Sequence, residues 1–211
     1  MLVKLNDYIM KWSLAKHEEW KPQLLELIEK QKEGREVNNE GYYFDWDDDR
    51  IDVKTGRYYN LSRSRPYSPL FFHCISEPVW AYARHFGSAP FMGGNQDLNL
   101  PPDLKPELSP SVSKRQNPVA WFQQYFQPNT GFGWHSHDKS IAVIYFVELP
   151  NPKDATEFYL EGQFDLKEGD VMIWPSYLNH RSPPLSSAGR KTIIATNIDL
   201  FIDRKVTGDG K

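Results

Sequence analysis

Two hydrophobic rhythms divide this chain. In its first third, Trp20, Leu24, Leu27 and Ile28 recur at a spacing near 3.6, which predicts an amphipathic helix. Ser13 is placed to cap that helix, Pro22 to mark an early turn or kink, and Gly34 to stop it. A second helix is expected over Glu77–Phe86, with Ser76 as cap, Pro78 in its first turn and Gly87 past its end. From Val119 the rhythm changes to a period of two: Val119, Trp121, Gln123 and Tyr125 alternate with Ala120, Phe122, Gln124 and Phe126. Gln127 to Gly131 reads as a turn. Ile141 to Leu149 is a near-continuous apolar run, expected as a central strand buried on both faces. Shorter strands follow at Thr156–Leu160 and Val171–Trp174, the second ended by Pro175, and Lys191–Phe201 reads as a long final strand.

Many short strands, with helices gathered on the N-terminal side, predict a mainly β fold with flanking α: a double-stranded β-helix, or cupin-like jelly roll, whose helices buttress one sheet. The chain reads as a single domain, with a helical flank and loop region over 1–118 and a jelly-roll core over 119–201. Ala89 to Pro118, rich in Pro, Gly, Asn and Ser, reads as a long irregular excursion of the kind used for lids and binding loops. Asp45 to Asp49 resembles the start of a calcium loop, but Arg50 replaces the glycine and Gly56 the twelfth-position glutamate, so a solvated acidic turn is expected.

Composition narrows the setting. The 211 residues are 39% hydrophobic and 25% charged, which is globular material rather than a disordered tail. A net charge of −3 argues against nucleic acid as a partner. The single cysteine, Cys74, excludes an intramolecular disulfide framework and fits a reducing compartment. No apolar run approaches the roughly 18 residues of a membrane span, and Met1 to Ala15 is too polar for a secretory signal, so a cytoplasmic protein is expected.

The chemistry lies in three of the six histidines. His135 and His137 are separated by one residue, and in an extended chain side chains at i and i+2 point to one side, so both rings can converge on one ion. His180, forty-three residues later on another strand, can complete a face of an octahedron and leave three positions open. Asp138 is the alternative to His137, reachable only through a bulge or turn. His17, His73 and His85 read as ordinary hydrogen-bonded residues. Arg190 and Thr192 share one face of the last strand, and together they can offer a carboxylate a guanidinium and a hydroxyl. Arg190 is otherwise a surface arginine at a strand start. Tyr125 can donate its phenol to a bound carboxylate, or is a core aromatic.

At these residues the chain resembles a family. Gln124 to His137, through Pro128-Asn129-Thr130-Gly131 and His135-Ser136-His137, is similar to the first metal motif of the 2-oxoglutarate/Fe(II) oxygenases. Gly169 to Pro184, through Gly169-Asp170, Pro175-Ser176 and His180, is similar to the second. The likeness is to the prolyl-hydroxylase-like branch and to small bacterial and phage members with a His-X-His motif, and it covers about Trp121 to Asn197. It departs at His137, where most of the superfamily carries a carboxylate.

The resemblance implies Fe(II) held by His135, His137 and His180. It implies 2-oxoglutarate bound by Arg190, Thr192 and Tyr125, and a dioxygenase that uses O2 to hydroxylate a small-molecule or peptide substrate while releasing succinate and CO2. Two other readings stay open: a cupin-type three-histidine iron dioxygenase that does without 2-oxoglutarate, and a non-catalytic jelly roll that binds a metal or ligand. For the last, Tyr42, Tyr43, Trp46, Tyr58 and Tyr59 offer a platform, unless they pack the flank onto the sheet. Ala89–Pro118 and Tyr42–Tyr67 are expected to frame the substrate entrance. Oligomeric state is not set by these residues.

Overall fold

The computed structural model describes residues 2–32, 41–45, 65–90 and 118–202. In chain order these form β1 (Leu2–Lys4), β2 (Met10–Ser13), α1 (His17–Lys32), β3 (Tyr42–Phe44), α2 (Ser68–His85), β4 (Ser88–Pro90), β5 (Ala120–Tyr125), β6 (Phe132–His135), β7 (Ile141–Glu148), β8 (Glu157–Phe158), β9 (Gly162–Gln163), β10 (Asp170–Pro175), β11 (His180–Ser182), β12 (Lys191–Ile198) and β13 (Leu200–Ile202). Seven strands make the larger sheet, in the order β1-β2-β10-β7-β12-β5-β3, and four make the smaller, β6-β11-β8-β9. The two face each other as a jelly roll, with both helices on the outer face of the larger sheet. No helix among the described residues is long and apolar enough to cross a membrane.

This arrangement explains the continuous apolar runs. On β7, Ile141, Val143, Tyr145 and Val147 pack toward the helices, while Ala142, Ile144 and Phe146 pack into the space between the sheets. β10 divides the same way, Val171 and Ile173 outward and Met172 and Trp174 inward. Both faces of the central strands are therefore removed from water, and each fully buried large side chain contributes roughly 1.5–3 kcal/mol. The outer layer is completed by Leu24 and Ile28 of α1 and by Phe71, Phe72, Ile75, Val79 and Tyr82 of α2.

Several expectations shift. The N-terminal third is not purely helical, since β1, β2 and β3 extend the larger sheet at both edges. Ser13 ends β2 instead of capping α1, its hydroxyl donating to Asp170 Oδ1 at 2.5 Å. α2 begins nine residues before Glu77, at Ser68, with Pro69 in its first turn, so Ser76 and Pro78 lie inside it. The apolar face running from Phe71 through Ile75 to Val79 is enough to carry the helix through Pro78. Gly87 does end it, at φ 62°, a value that suits glycine. The last strand breaks after Ile198, and β13 pairs instead with β4 in a separate two-stranded ladder. Gly34, Asp47 to Asp49 and most of the 89–118 excursion lie outside the described residues, as do Trp46, Tyr58 and Tyr59.

Asp45 is not part of a solvated turn. Its side chain is fully buried, with Arg65 Nε 3.3 Å from Oδ2, Tyr67 donating to Oδ2 at 2.5 Å and the Phe122 main-chain N–H donating to Oδ1 at 2.8 Å. Arg65 also donates to the main-chain oxygens of Asp45 (2.8 Å) and Ala120. This cluster ties the β3 end of the sheet to the start of α2. Tyr43, stacked on Phe122 at 5.3 Å, is packing and not a platform.

Removing one partner of a buried ion pair leaves the other charge without compensation. Asp45→Ala is therefore expected to lower unfolding free energy by about 3–5 kcal/mol in urea denaturation. Asp138→Ala, at an exposed site, is expected to leave the unfolding midpoint in place.

Candidate functional site

The smaller sheet brings the histidines together. His135 ends β6, His180 begins β11, and the two are direct partners across the antiparallel ladder. His137 lies two residues past β6, where its main-chain N–H donates to the Ser176 oxygen at 2.9 Å and fixes the loop. Ring centroids are 4.3 Å apart for His135–His180, 5.0 Å for His135–His137 and 5.2 Å for His137–His180. One nitrogen from each ring falls within 4.8 Å of the others, and this is the metal-competent cluster among the described residues. Asp138 is exposed and stands outside it.

The surroundings prepare the rings as ligands. Nδ1 of His135 lies 2.8 Å from the Gly133 oxygen, and Nδ1 of His180 is 2.8 Å from the Leu178 oxygen. A carbonyl accepts only, so each Nδ1 carries the proton and each Nε2 keeps its lone pair for an ion. Burial disfavours the charged imidazoles and pushes His180 down to about 3 and His137 to about 4, with His135 lowered as well. Three neutral imidazoles that already face one another fit a divalent transition ion.

Beside the trio lies a cavity of about 240 Å³ between the two sheets. Its floor is the inner face of β5, β7, β10 and β12, including Trp121, Gln123, Ile144, Trp174, Ile193 and Ala195. The alternation on β12 decides which polar groups belong to it. Ile193 and Ala195 point inward while Ile194 and Ile198 pack toward the helices, so Lys191 and Asn197 face in and Arg190 and Thr192 face out.

That parity relocates part of the expected site. Arg190 and Thr192 share a face as predicted, but it is the outer one. Arg190 grips Glu148 in two-pronged fashion at 2.7 and 2.9 Å and lies 3.6 Å from Glu29 of α1. Thr192 donates to Glu148 and accepts from Gln124 at 3.1 Å. Neither reaches the cavity. Tyr125 faces inward, buried, its phenol donating to Gln123 Oε1 at 2.6 Å.

Lys191, directly opposite Tyr125 in the ladder, lies on the inner face of β12, behind Ser182, and not among the residues that line the cavity. It is 1% exposed; its ammonium donates to Ser182 Oγ at 2.6 Å and to the Asp154 main-chain oxygen, and lies 5.2 Å from the Tyr125 ring centre. No carboxylate lies within ion-pair distance of it among the described residues, and burial pulls its pKa down to about 7. Lys191, Ser182 and Asn197 were not singled out in the sequence. Phase relative to Ile193 and Ala195 is the signal that could have found them.

No family model and no curated protein matches the chain. Solved structures do. AviO1 from Streptomyces viridochromogenes Tue57 aligns over 92% of this chain and 90% of its own, with TM-score 0.53 and 10% identity. A prolyl 4-hydroxylase from Phytophthora capsici aligns over 90% of this chain with TM-score 0.51 and 11% identity, and the chain spans 58% of its length. The likeness to a 2OG-Fe(II) oxygenase family oxidoreductase from Burkholderia pseudomallei is confined to 38% of this chain and 43% of that one, with TM-score 0.34 and 11% identity. What is shared at these identities is architecture: the chain has the double-stranded β-helix fold of the 2-oxoglutarate/Fe(II) oxygenases.

The histidine geometry predicts one divalent transition ion per chain. In a Co(II) titration followed by its visible absorption, His180→Ala is expected to abolish stoichiometric binding. Asp138→Ala is expected to leave it unchanged, and a loss there would place the carboxylate in the ligand set.

Proposed function

We propose that this protein is an Fe(II)- and 2-oxoglutarate-dependent oxygenase in which His135, His137 and His180 hold the metal and Lys191 anchors the distal carboxylate of 2-oxoglutarate. The observation that supports this most strongly is the pairing of three neutral, convergent imidazoles on the cavity with a buried ammonium on the inner face of β12, bonded to the cavity-lining Ser182 and with no carboxylate at ion-pair distance among the described residues. A buried cation without a partner is costly, and Lys191 has a third N–H beyond the two already engaged. An incoming carboxylate relieves that cost. Ser182 and Tyr125 flank the same spot and can orient it.

When bound, Fe(II) supplies the activation of O2, so that 2-oxoglutarate, O2 and a substrate C–H become succinate, CO2 and an alcohol. The chain's own residues position and exclude. Phe44, Trp121, Phe132 and Trp174 wall the cavity with apolar surface and limit water. The Gly133 and Leu178 carbonyls hold two imidazoles in one tautomer. Arg190, which the sequence resemblance placed on the co-substrate, instead fastens β12 to β7 through Glu148. The substrate is a small molecule or a peptide.

The three-histidine donor set also suits an iron dioxygenase that works without 2-oxoglutarate. Lys191 separates the readings, since such an enzyme has no use for a buried ammonium at the far end. Calorimetric titration of 2-oxoglutarate into anaerobic Mn(II)-loaded protein is expected to show binding that weakens in Lys191→Met by about 10- to 150-fold, the loss of one charge-assisted hydrogen bond of roughly 1.5–3 kcal/mol. Arg190→Met is expected to bind as the native protein does. The reverse pattern, or no binding at all, contradicts the assignment.

A pH signature accompanies it. Free Lys191 titrates at about 7, and an anion beside it raises that value. Above pH 7 the free amine is largely neutral and the bound one charged, so binding takes up a proton. Well below pH 7 both are charged and no proton moves. Titrations in buffers of different ionisation enthalpy at pH 8 and pH 6 measure the difference, and equal proton exchange at both would contradict it.

A further inference from the structure

Rings wall the cavity between the sheets. Phe44 of β3 and Phe132 of β6 come from opposite sheets and meet edge to face, their centroids 5.7 Å apart. Both are partly exposed, so they stand at the rim of the cavity and can be touched by what enters it. Phe132 also packs against His135 at 4.8 Å, Trp174 lies 4.9 Å from His180 and Trp121 lies 6.0 Å from His137. Each histidine of the cluster therefore has a large aromatic neighbour that lines the same cavity.

The volume, about 240 Å³, sets what fits. A dry apolar cavity of about 150 Å³ takes up benzene, so one six-membered ring fits here with about 90 Å³ to spare. That remainder is the share of about three waters. It gives room to the chelating end of 2-oxoglutarate, whose far end points toward Lys191, outside the lining.

The wall has little to offer a charged group of the substrate. Among the described residues no carboxylate lines it, and its cation, Arg181, donates to Glu157 at 2.7 Å and packs over Trp134. Gln123 Oε1 already accepts from Tyr125 and Ser182 Oγ from Lys191, both at 2.6 Å. The two carboxylates of 2-oxoglutarate offset the double charge of the ion. A further charge brought in would lose its water and find no partner. An aromatic ring instead meets other rings, and such pairs, with centroids roughly 4.5–7 Å apart, gain attraction beyond the area they bury. We propose that the substrate presents an uncharged aromatic ring to this cavity and that Phe44 and Phe132 are specificity-determining residues that select it, an inference that rests on the oxygenase reading.

The test uses Mn(II)-loaded protein with saturating 2-oxoglutarate and benzyl alcohol as the probe. Cyclohexylmethanol is the control without an aromatic ring, benzylamine the cationic control and benzenesulfonate the anionic one. Binding is read from tryptophan fluorescence and from Mn(II) relaxation of the probe protons, which reports closeness to the ion. Benzyl alcohol is expected to bind about 2- to 12-fold more tightly than cyclohexylmethanol, a distinction that a merely apolar wall does not make. It is expected to bind about 100-fold or more tightly than either charged probe. Equal binding of benzyl alcohol and cyclohexylmethanol overturns the proposal, and so does a charged probe that binds as well as benzyl alcohol.

Phe44→Leu and, separately, Phe132→Leu remove a ring but keep an apolar side chain. Each is expected to shrink the preference for benzyl alcohol while one Mn(II) still binds per chain, and an undiminished preference in both overturns the assignment to these residues. Native protein alone decides the location: benzyl alcohol that changes the fluorescence without Mn(II) relaxation of its protons is bound elsewhere, which overturns the proposal. If native protein fails to bind 2-oxoglutarate, the oxygenase reading falls, while the ring preference measured with Mn(II) alone still decides the cavity.

Discussion

The side-chain alternation of β12 governs the rest of the site. This strand is hydrogen-bonded on both sides, to β5 and β7, and buried on both faces. A register shift of one residue would exchange its inner and outer sets, turning Lys191 toward the helices and Arg190 toward the cavity. Apolar packing forbids that exchange: Ile193 and Ala195 fill the space between the sheets, and Ile194 and Ile198 meet the helices. The bidentate Arg190–Glu148 pair and the Thr192–Gln124 bond hold the same register from outside. Weak as a half-exposed ion pair is in isolation, its position at the cavity end of the strand helps keep Lys191 turned inward.

Electrostatics then distinguishes the histidine cluster from the Lys191 end of β12. Burial keeps the histidines neutral, so the trio is ready for a cation. Because no carboxylate joins them, an ion bound there keeps its full double charge. Lys191 adds a further positive charge on the inner face of β12. On the proposed reading a dianion relieves both, and this complementarity links the three-histidine donor set with a lysine that has no carboxylate at ion-pair distance among the described residues.

Much of the architecture was legible from periodicity. The jelly roll, its central strand over Ile141–Glu148, the Gly169-Asp170 turn and the helix end at Gly87 all follow from local pattern and turn chemistry. The histidine cluster was legible because i, i+2 spacing and a later strand bring three rings to one place. Two kinds of feature were not. β1 and β2 are short strands of mixed polarity at one end of the sheet, and β2 is placed by its pairing with β10, more than 150 residues away. The facing of β12 was hidden by burial: in Lys191-Thr192-Ile193-Ile194-Ala195-Thr196 both faces carry apolar and polar residues, so no alternation marks the inside. Asp45 looked like one carboxylate among several because nothing near it in sequence announces Arg65 or Tyr67.

The most direct test of the central claim is anaerobic addition of 2-oxoglutarate to Fe(II)-loaded protein, watched for the weak visible charge-transfer absorption of a metal-bound 2-oxo acid. The band is expected in native protein and in Arg190→Ala, to be lost in His180→Ala, and to require much higher 2-oxoglutarate in Lys191→Ala. Stoichiometric Fe(II) binding with no band at any 2-oxoglutarate concentration would contradict the account and leave a three-histidine iron site of another class.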